Sequence, residues 1–162
     1  FRAQHPDGCI DRDFLLAAGQ WGSFESQTLD RLLRGTDMRL PDGISMTGKD
    51  GFTRASFRTK YWEESPRTYG DVVFQPDALP EEVAALELSE EQKTALQIYR
   101  PEDPILFVGH YWQQGAPQPI RPNLACLDYS AVKYGKLVAY RWDGERRLNP
   151  DHFVWVDVPQ YA

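Results

Sequence analysis

The sequence predicts a mixed α+β fold, with helices and a hairpin in residues 1–104 and a β-rich region in residues 105–162. Three observations predict it. Leu29, Leu32 and Leu33 recur at helical spacing behind Ser23 and Ser26, either of which suits a helix start. Ser89 and Gln92 have the spacing of a capping box. Beyond residue 104 the pattern changes: residues 105–108 and 125–129 are apolar runs of strand length, and residues 136–142 alternate.

In chain order, His5-Pro6-Asp7-Gly8 reads as a turn. Asp11 suits the cap of a helix over residues 12–21, with Phe14, Leu15, Ala18 and Trp21 near one face. The second helix ends at Gly35, a suitable residue just past a helix end. Leu40-Pro41-Asp42-Gly43 is a turn. Residues 44–47 and 52–57 flank Gly48-Lys49-Asp50-Gly51 as a hairpin. Residues 60–80 read as loop, anchored by Tyr61-Trp62 and Val72-Val73-Phe74. Pro80-Glu81-Glu82 opens a helical stretch with acids in its first turn, and the Ser89 helix runs to about Tyr99, before Pro101 and Pro104. In the last region, Leu137, Ala139 and Arg141 share one face of a strand and Val138, Tyr140 and Trp142 the other. Asp143-Gly144 then turns the chain, and residues 153–158 form a last strand.

The length of 162 residues suits a single segment. A net charge of −6 argues against nucleic acid as a partner, since that role needs a basic face. No apolar run approaches the roughly 20 residues of a membrane helix. Two cysteines, Cys9 and Cys126, make no disulfide framework and fit a reducing, cytoplasmic setting. Cys126 reads as a small buried hydrophobe. The chain lacks a Gly-x-Ser-x-Gly elbow and a phosphate-binding Gly-rich loop of the P-loop type.

His110 follows a short apolar strand and Gly109, so it stands where a strand opens into a loop. Gly109 is expected to let the backbone turn sharply or approach another group. An imidazole there is either a metal ligand or a hydrogen-bonded histidine at a strand end. Asp128 and Tyr129 are candidates to support it, or else a buried hydrogen-bonded pair. Arg121 and Arg141 suit either a phosphate contact or a structural role. His152, in Asn149-Pro150-Asp151-His152, reads as a surface turn residue.

In order along the chain stand Gly109-His110-Tyr111-Trp112, a Pro-rich loop, Cys126-Leu127-Asp128-Tyr129-Ser130, a turn, and Gly135-Lys136-Leu137-Val138-Ala139-Tyr140-Arg141-Trp142. This series resembles the carboxy-terminal part of calcineurin-like metallophosphoesterases of the bacterial, protein-phosphatase-like branch. Leu40-Pro41-Asp42-Gly43, Lys49-Asp50-Gly51 and Tyr61-Trp62 are similar to that family too. The resemblance implies half of a β-sandwich flanked by helices, with residues 1–104 as a helical and hairpin insertion and residues 105–162 as the β-rich part.

It further implies hydrolysis of a phosphorylated substrate by a water activated between two divalent metal ions, Mn, Fe, Zn or Ni. His110 matches the family's final histidine ligand. His5 matches a histidine ligand that precedes the helical insertion. Trp112 stands where many relatives carry a second histidine, which fits the single-histidine branch. The family's Asp-x-His, Gly-Asp-x-x-Asp-Arg-Gly and Gly-Asn-His segments do not occur in these 162 residues. The resemblance places them upstream of Phe1, so a missing amino-terminal half is the expected partner. No residue of this chain is assigned as general acid, base or nucleophile, and no substrate-binding residue is readable. The alternative is a non-catalytic interaction module or a degenerate homologue, with Tyr111, Trp112 and Trp142 as contact anchors.

Overall fold

The computed structural model describes residues 1, 3–48, 51–74 and 79–160. The fold is α+β, built from short helices and small sheets. The chain forms two compact units, Phe1–Gln97 and Ile98–Ala162.

In the first unit, α1 (Arg12–Ala18) starts at Asp11, whose Oδ1 accepts from Phe14 N at 2.8 Å. It buries Phe14, but ends before Trp21, which is 98% exposed. The expected four-residue apolar face therefore does not form. α2 (Phe24–Arg34) starts at Ser23, whose Oγ accepts from Ser26 N at 3.0 Å, and ends at Gly35 with φ 80°. Leu32 and Leu33 on α2 are exposed.

β1 (Asp37–Arg39) follows, then a hairpin of β2 (Met46–Thr47) and β3 (Thr53–Arg54), and then β4 (Ser56–Thr59). Lys49 and Asp50, at the expected hairpin tip, lie outside the described residues. The stretch read as loop holds a helical turn, α3 (Tyr69–Val72), and β5 (Val73–Phe74). Asp71 Oδ2 accepts from Arg67 N at 2.9 Å and Thr68 N at 2.8 Å, which starts α3 and holds the carboxyl below its ordinary pKa. β4 lies between β1 and β5 in an antiparallel sheet.

α4 (Glu81–Ala84) and α5 (Glu90–Ala95) follow. The capping box is present: Ser89 Oγ accepts from Gln92 N at 3.1 Å, and Gln92 Oε1 from Ser89 N at 2.9 Å. Leu40, Phe57, Tyr69, Val72, Val73, Val83 and Leu88 form the core of this unit. Each such side chain contributes about 1.5–3 kcal/mol on burial.

α5 stops at Ala95, short of Tyr99. Leu96 turns extended at ψ 137°, and the carbonyls that follow are held by side chains. Arg121 Nη1 donates to Tyr99 O at 3.3 Å, and Asn123 Nδ2 donates to Arg100 O at 2.7 Å and Asp103 O at 3.0 Å. These bonds draw residues 99–103 into the second unit. The division consequently falls earlier than the 104/105 boundary suggested by sequence.

The second unit pairs β6 (Leu106–Val108) with β7 (Leu124–Cys126) in parallel, Val108 opposite Cys126. The run expected as one strand over 125–129 is broken at Leu127, whose N–H donates to Val108 O at 2.9 Å. The chain then enters an antiparallel sheet of β8 (Asp128–Tyr129), β9 (Lys136–Tyr140) and β10 (Phe153–Asp157), with β9 central. The expected alternation holds along β9: Val138 is buried and Leu137 exposed. Ala125, Tyr129, Val138, Leu148 and Phe153 form the core. On the opposite face Leu137, Val154 and Val156 remain exposed, and Val156 pairs with Leu137. Among the described residues, no helix is long and apolar enough to cross a membrane.

Candidate functional site

β6 delivers His110. Its parallel pairing with β7 fixes where the strand ends, and Gly109 and His110 emerge from it into an exposed loop. The conformational demand falls one residue later than expected. Gly109 has no positive φ, and a Cβ there would meet nothing within 4 Å. His110 instead has φ 66°, and Tyr111 N donates to Gly109 O at 2.8 Å across it. That three-residue turn with a positive central φ is rare and strained. Tyr111, next in sequence, is buried and anchors the turn.

Asp128 holds this geometry. Its Oδ2 accepts from His110 N at 3.1 Å and its Oδ1 from Ser130 N at 2.9 Å. Its main-chain oxygen accepts from Gln113 N at 2.9 Å. Asp128 thus positions the loop through backbone donors and leaves the His110 ring to solvent. The imidazole makes no hydrogen bond among the described residues. Behind it Cys126 is fully buried, and burial pushes its thiol up to about 11, so it is an inert protonated side chain.

His5 lies in the first unit and His110 in the second. His5 occupies a turn, as expected: its N–H and that of Gln4 both donate to Phe1 O, at 2.9 and 3.0 Å. Its ring stacks on Phe1 at 4.9 Å and meets the edge of Phe14 at 5.2 Å.

The donor chemistry at His110 fits a divalent metal, because an exposed imidazole without a hydrogen-bond partner is an available nitrogen ligand. One imidazole is one ligand. Among the described residues no group of three or more His, Cys, Asp or Glu side chains is arranged to hold a metal ion.

Beside this loop lies a pocket of ≈ 340 Å³, lined by residues 112–115 together with Tyr129, Ser130, Lys133, Gly135 and Lys136. Ser130 and Tyr134 bracket a single 3₁₀ turn in the left-handed conformation, at φ 58° and 60°. Gly135 is obligatory: a Cβ there would lie 2.0 Å from Tyr129 O and 2.9 Å from Ser130 O. Tyr129 is buried, and its hydroxyl accepts from Gln118 N at 3.2 Å. Loss of solvent raises its pKa.

Sequence reasoning missed a second cluster. His152 is not a free surface residue: its Nδ1 lies 3.1 Å from Glu145 Oε1, with its side chain 17% exposed. Tyr140 OH donates to the same oxygen and accepts from Asn149 N at 2.9 Å. The Tyr140 hydroxyl is the main reason the Glu145 carboxyl falls to about 2. The spacing of Tyr140, Glu145 and His152 around Asp143-Gly144 is the signal available in sequence. Arg141 Nε pairs with Asp143 Oδ2 at 3.2 Å, and Arg121 holds Tyr99 O, so both arginines have structural partners.

No family model, curated protein or solved structure matches this chain.

Proposed function

We propose that this chain is the carboxy-terminal portion of a metal-dependent phosphoesterase, and that His110 supplies one imidazole to its metal centre. The observation that carries the reading is the strained turn at His110. A positive φ at a histidine costs of the order of 1 kcal/mol, and backbone strain of this kind collects at functional sites. Asp128 maintains it, and the consequence is an imidazole held clear of β6 with an unused nitrogen. The ordered segments around Gly109-His110, Cys126–Ser130 and Gly135–Trp142 add the family resemblance.

Divalent cations, when bound, would supply an activated water and neutralise phosphate charge. This chain would contribute His110 as a ligand, with Asp128 as its positioning residue. The remaining ligands would come from a segment not contained in these 162 residues. The uncovered face of Leu137, Val154 and Val156 supports this, because in a β-sandwich such a face packs against a further layer. His5 remains a weaker member of the set, since its ring is engaged with Phe1 and Phe14.

The test is hydrolysis of an aryl phosphate by the gene's complete product with manganese, with and without His110→Ala. Manganese-dependent turnover that falls at least about 100-fold in the variant supports the reading. Turnover unchanged by the substitution removes His110 from the metal centre.

A second reading, an interaction module without catalysis, draws support from Trp21, Leu32 and Leu33, which are exposed apolar side chains on the first unit. Absence of metal-dependent turnover in the complete product, with partner binding lost on Leu32→Glu, would favour it.

A further inference from the structure

The pocket beside His110 has a chemical character that the metal-ligand reading does not use. The chain carries a net charge of −6, yet the pocket lining holds two ammonium groups, Lys133 and Lys136, and no carboxylate side chain. Lys133 makes no ion pair among the described residues. Lys136 pairs with Asp157 Oδ1 at 3.0 Å, but that carboxylate is 76% exposed, so the pair is solvent-screened and readily exchanged. The Ser130 hydroxyl and the Gln114 amide, both in the lining, make no hydrogen bond among the described residues and can donate to a ligand. Trp112 adds an aromatic surface.

The backbone supports the same assignment. Among the described residues three non-glycine positions have positive φ: His110, Ser130 and Tyr134. Of these, Ser130 lines the pocket and Tyr134 lies between the lining residues Lys133 and Gly135. The lining residue Ser130 thus has a positive φ and the lining residue Gly135 admits no side chain, so the backbone of this wall is tightly constrained. A volume of ≈ 340 Å³ suits a small molecule.

We propose that this pocket binds a small phosphate monoester with a planar aromatic body, its phosphate met by Lys133 and Lys136 and its ring by Trp112. The choice of phosphate over carboxylate rests on the phosphoesterase reading. The pocket itself rests on the lining groups and the backbone.

The test is calorimetric titration of the metal-free, 162-residue chain with phenyl phosphate, inorganic phosphate, benzoate and phenol. Phenyl phosphate is expected to bind most tightly, inorganic phosphate and benzoate more weakly, and phenol without measurable affinity. Lys133→Gln is expected to weaken phenyl phosphate about fivefold, and added salt to reduce the difference. Trp112→Leu is expected to remove the advantage of phenyl phosphate over inorganic phosphate. Lys93→Gln, in the first unit, is the control and leaves all affinities unchanged. Thermal melting of each variant checks that it is folded.

No saturable binding at millimolar phenyl phosphate overturns the proposal. So does binding indifferent to both Lys133→Gln and Trp112→Leu in folded variants, and benzoate binding as tightly as phenyl phosphate overturns the phosphate assignment. Because no metal is present, the outcome separates from that of the His110 reading. Pocket binding alongside His110-independent hydrolysis by the complete product sinks that reading and leaves the pocket. His110-dependent hydrolysis without pocket binding does the reverse.

Discussion

The backbone N–H of His110 donates to Asp128 Oδ2 at 3.1 Å, so a residue in the loop that follows β6 is held by the first residue of β8. The other carboxylate oxygen of Asp128 accepts from Ser130 N at 2.9 Å. One side chain therefore fixes two residues of positive φ, His110 and Ser130.

Asp128→Ala leaves both donors without that acceptor and is expected to destabilise the second unit by about 1–3 kcal/mol. Asp128→Asn keeps one carbonyl acceptor and is expected to cost less. Urea denaturation of the two variants measures the difference. Equal stability of Asp128→Ala and the parent chain would show that the carboxylate does not hold the loop.

Two glycines near the pocket are expected to differ sharply. Gly135→Ala pushes a Cβ to 2.0 Å from Tyr129 O, a backbone atom that cannot swing aside, and is expected to cost about 3 kcal/mol or more. Gly109→Ala places its Cβ in open space at a residue without positive φ, and is expected to stay within about 0.5 kcal/mol of the parent. Thermal melting of the pair checks this contrast.

That contrast marks what the sequence made legible. Signals that act within a few residues were readable: Asp11, Ser23 and the Ser89–Gln92 box cap the helices expected of them, and β9 alternates as its residues require. The position of His110 after a short strand was readable for the same reason. Its strained turn was not, because the adjacent Gly109 is the residue freer to turn, and the carboxylate that sustains the turn comes from Asp128, 18 residues away. α5 ends at Ala95 with Leu96 extended, and Arg121 and Asn123 hold the carbonyls of Tyr99 and Arg100 more than 20 residues upstream, a pairing no local pattern records. Trp21 was expected to be covered by an amphipathic face, but α1 ends before reaching it. The candidate metal site was legible as one residue, and a ligand set needs several.

If the His110 turn stores strain, removing the side chain relieves it. His110→Gly is expected to raise stability by about 1 kcal/mol, while His110→Val, β-branched and poorly suited to positive φ, lowers it by at least as much. Denaturation midpoints of the two variants test this. A loss of stability in His110→Gly would mean that the imidazole itself supports the fold.

Acid sensitivity follows from Glu145. Its carboxyl falls from an ordinary 4.5 to about 2, first through the hydrogen bond from Tyr140 and further through Asp143 N and His152. A depressed carboxyl stabilises the fold above its unfolded pKa, and that contribution is lost as pH falls through the folded value. The loop between β9 and β10 is therefore expected to loosen between about pH 4.5 and 2. Tyr140→Phe removes the largest cause and is expected to move the onset of loosening to higher pH. Amide exchange at residues 143–152 across this window reports it, and an unchanged profile in Tyr140→Phe would contradict the assignment.

The most direct measurement of the central claim is the metal content of the gene's complete product, purified with manganese and compared with its His110→Ala variant. Close to two metal ions per chain in the parent, falling by about one in a folded variant, is the expected result. An identical metal content in both proteins, or no bound metal in the parent, would contradict His110 as a ligand.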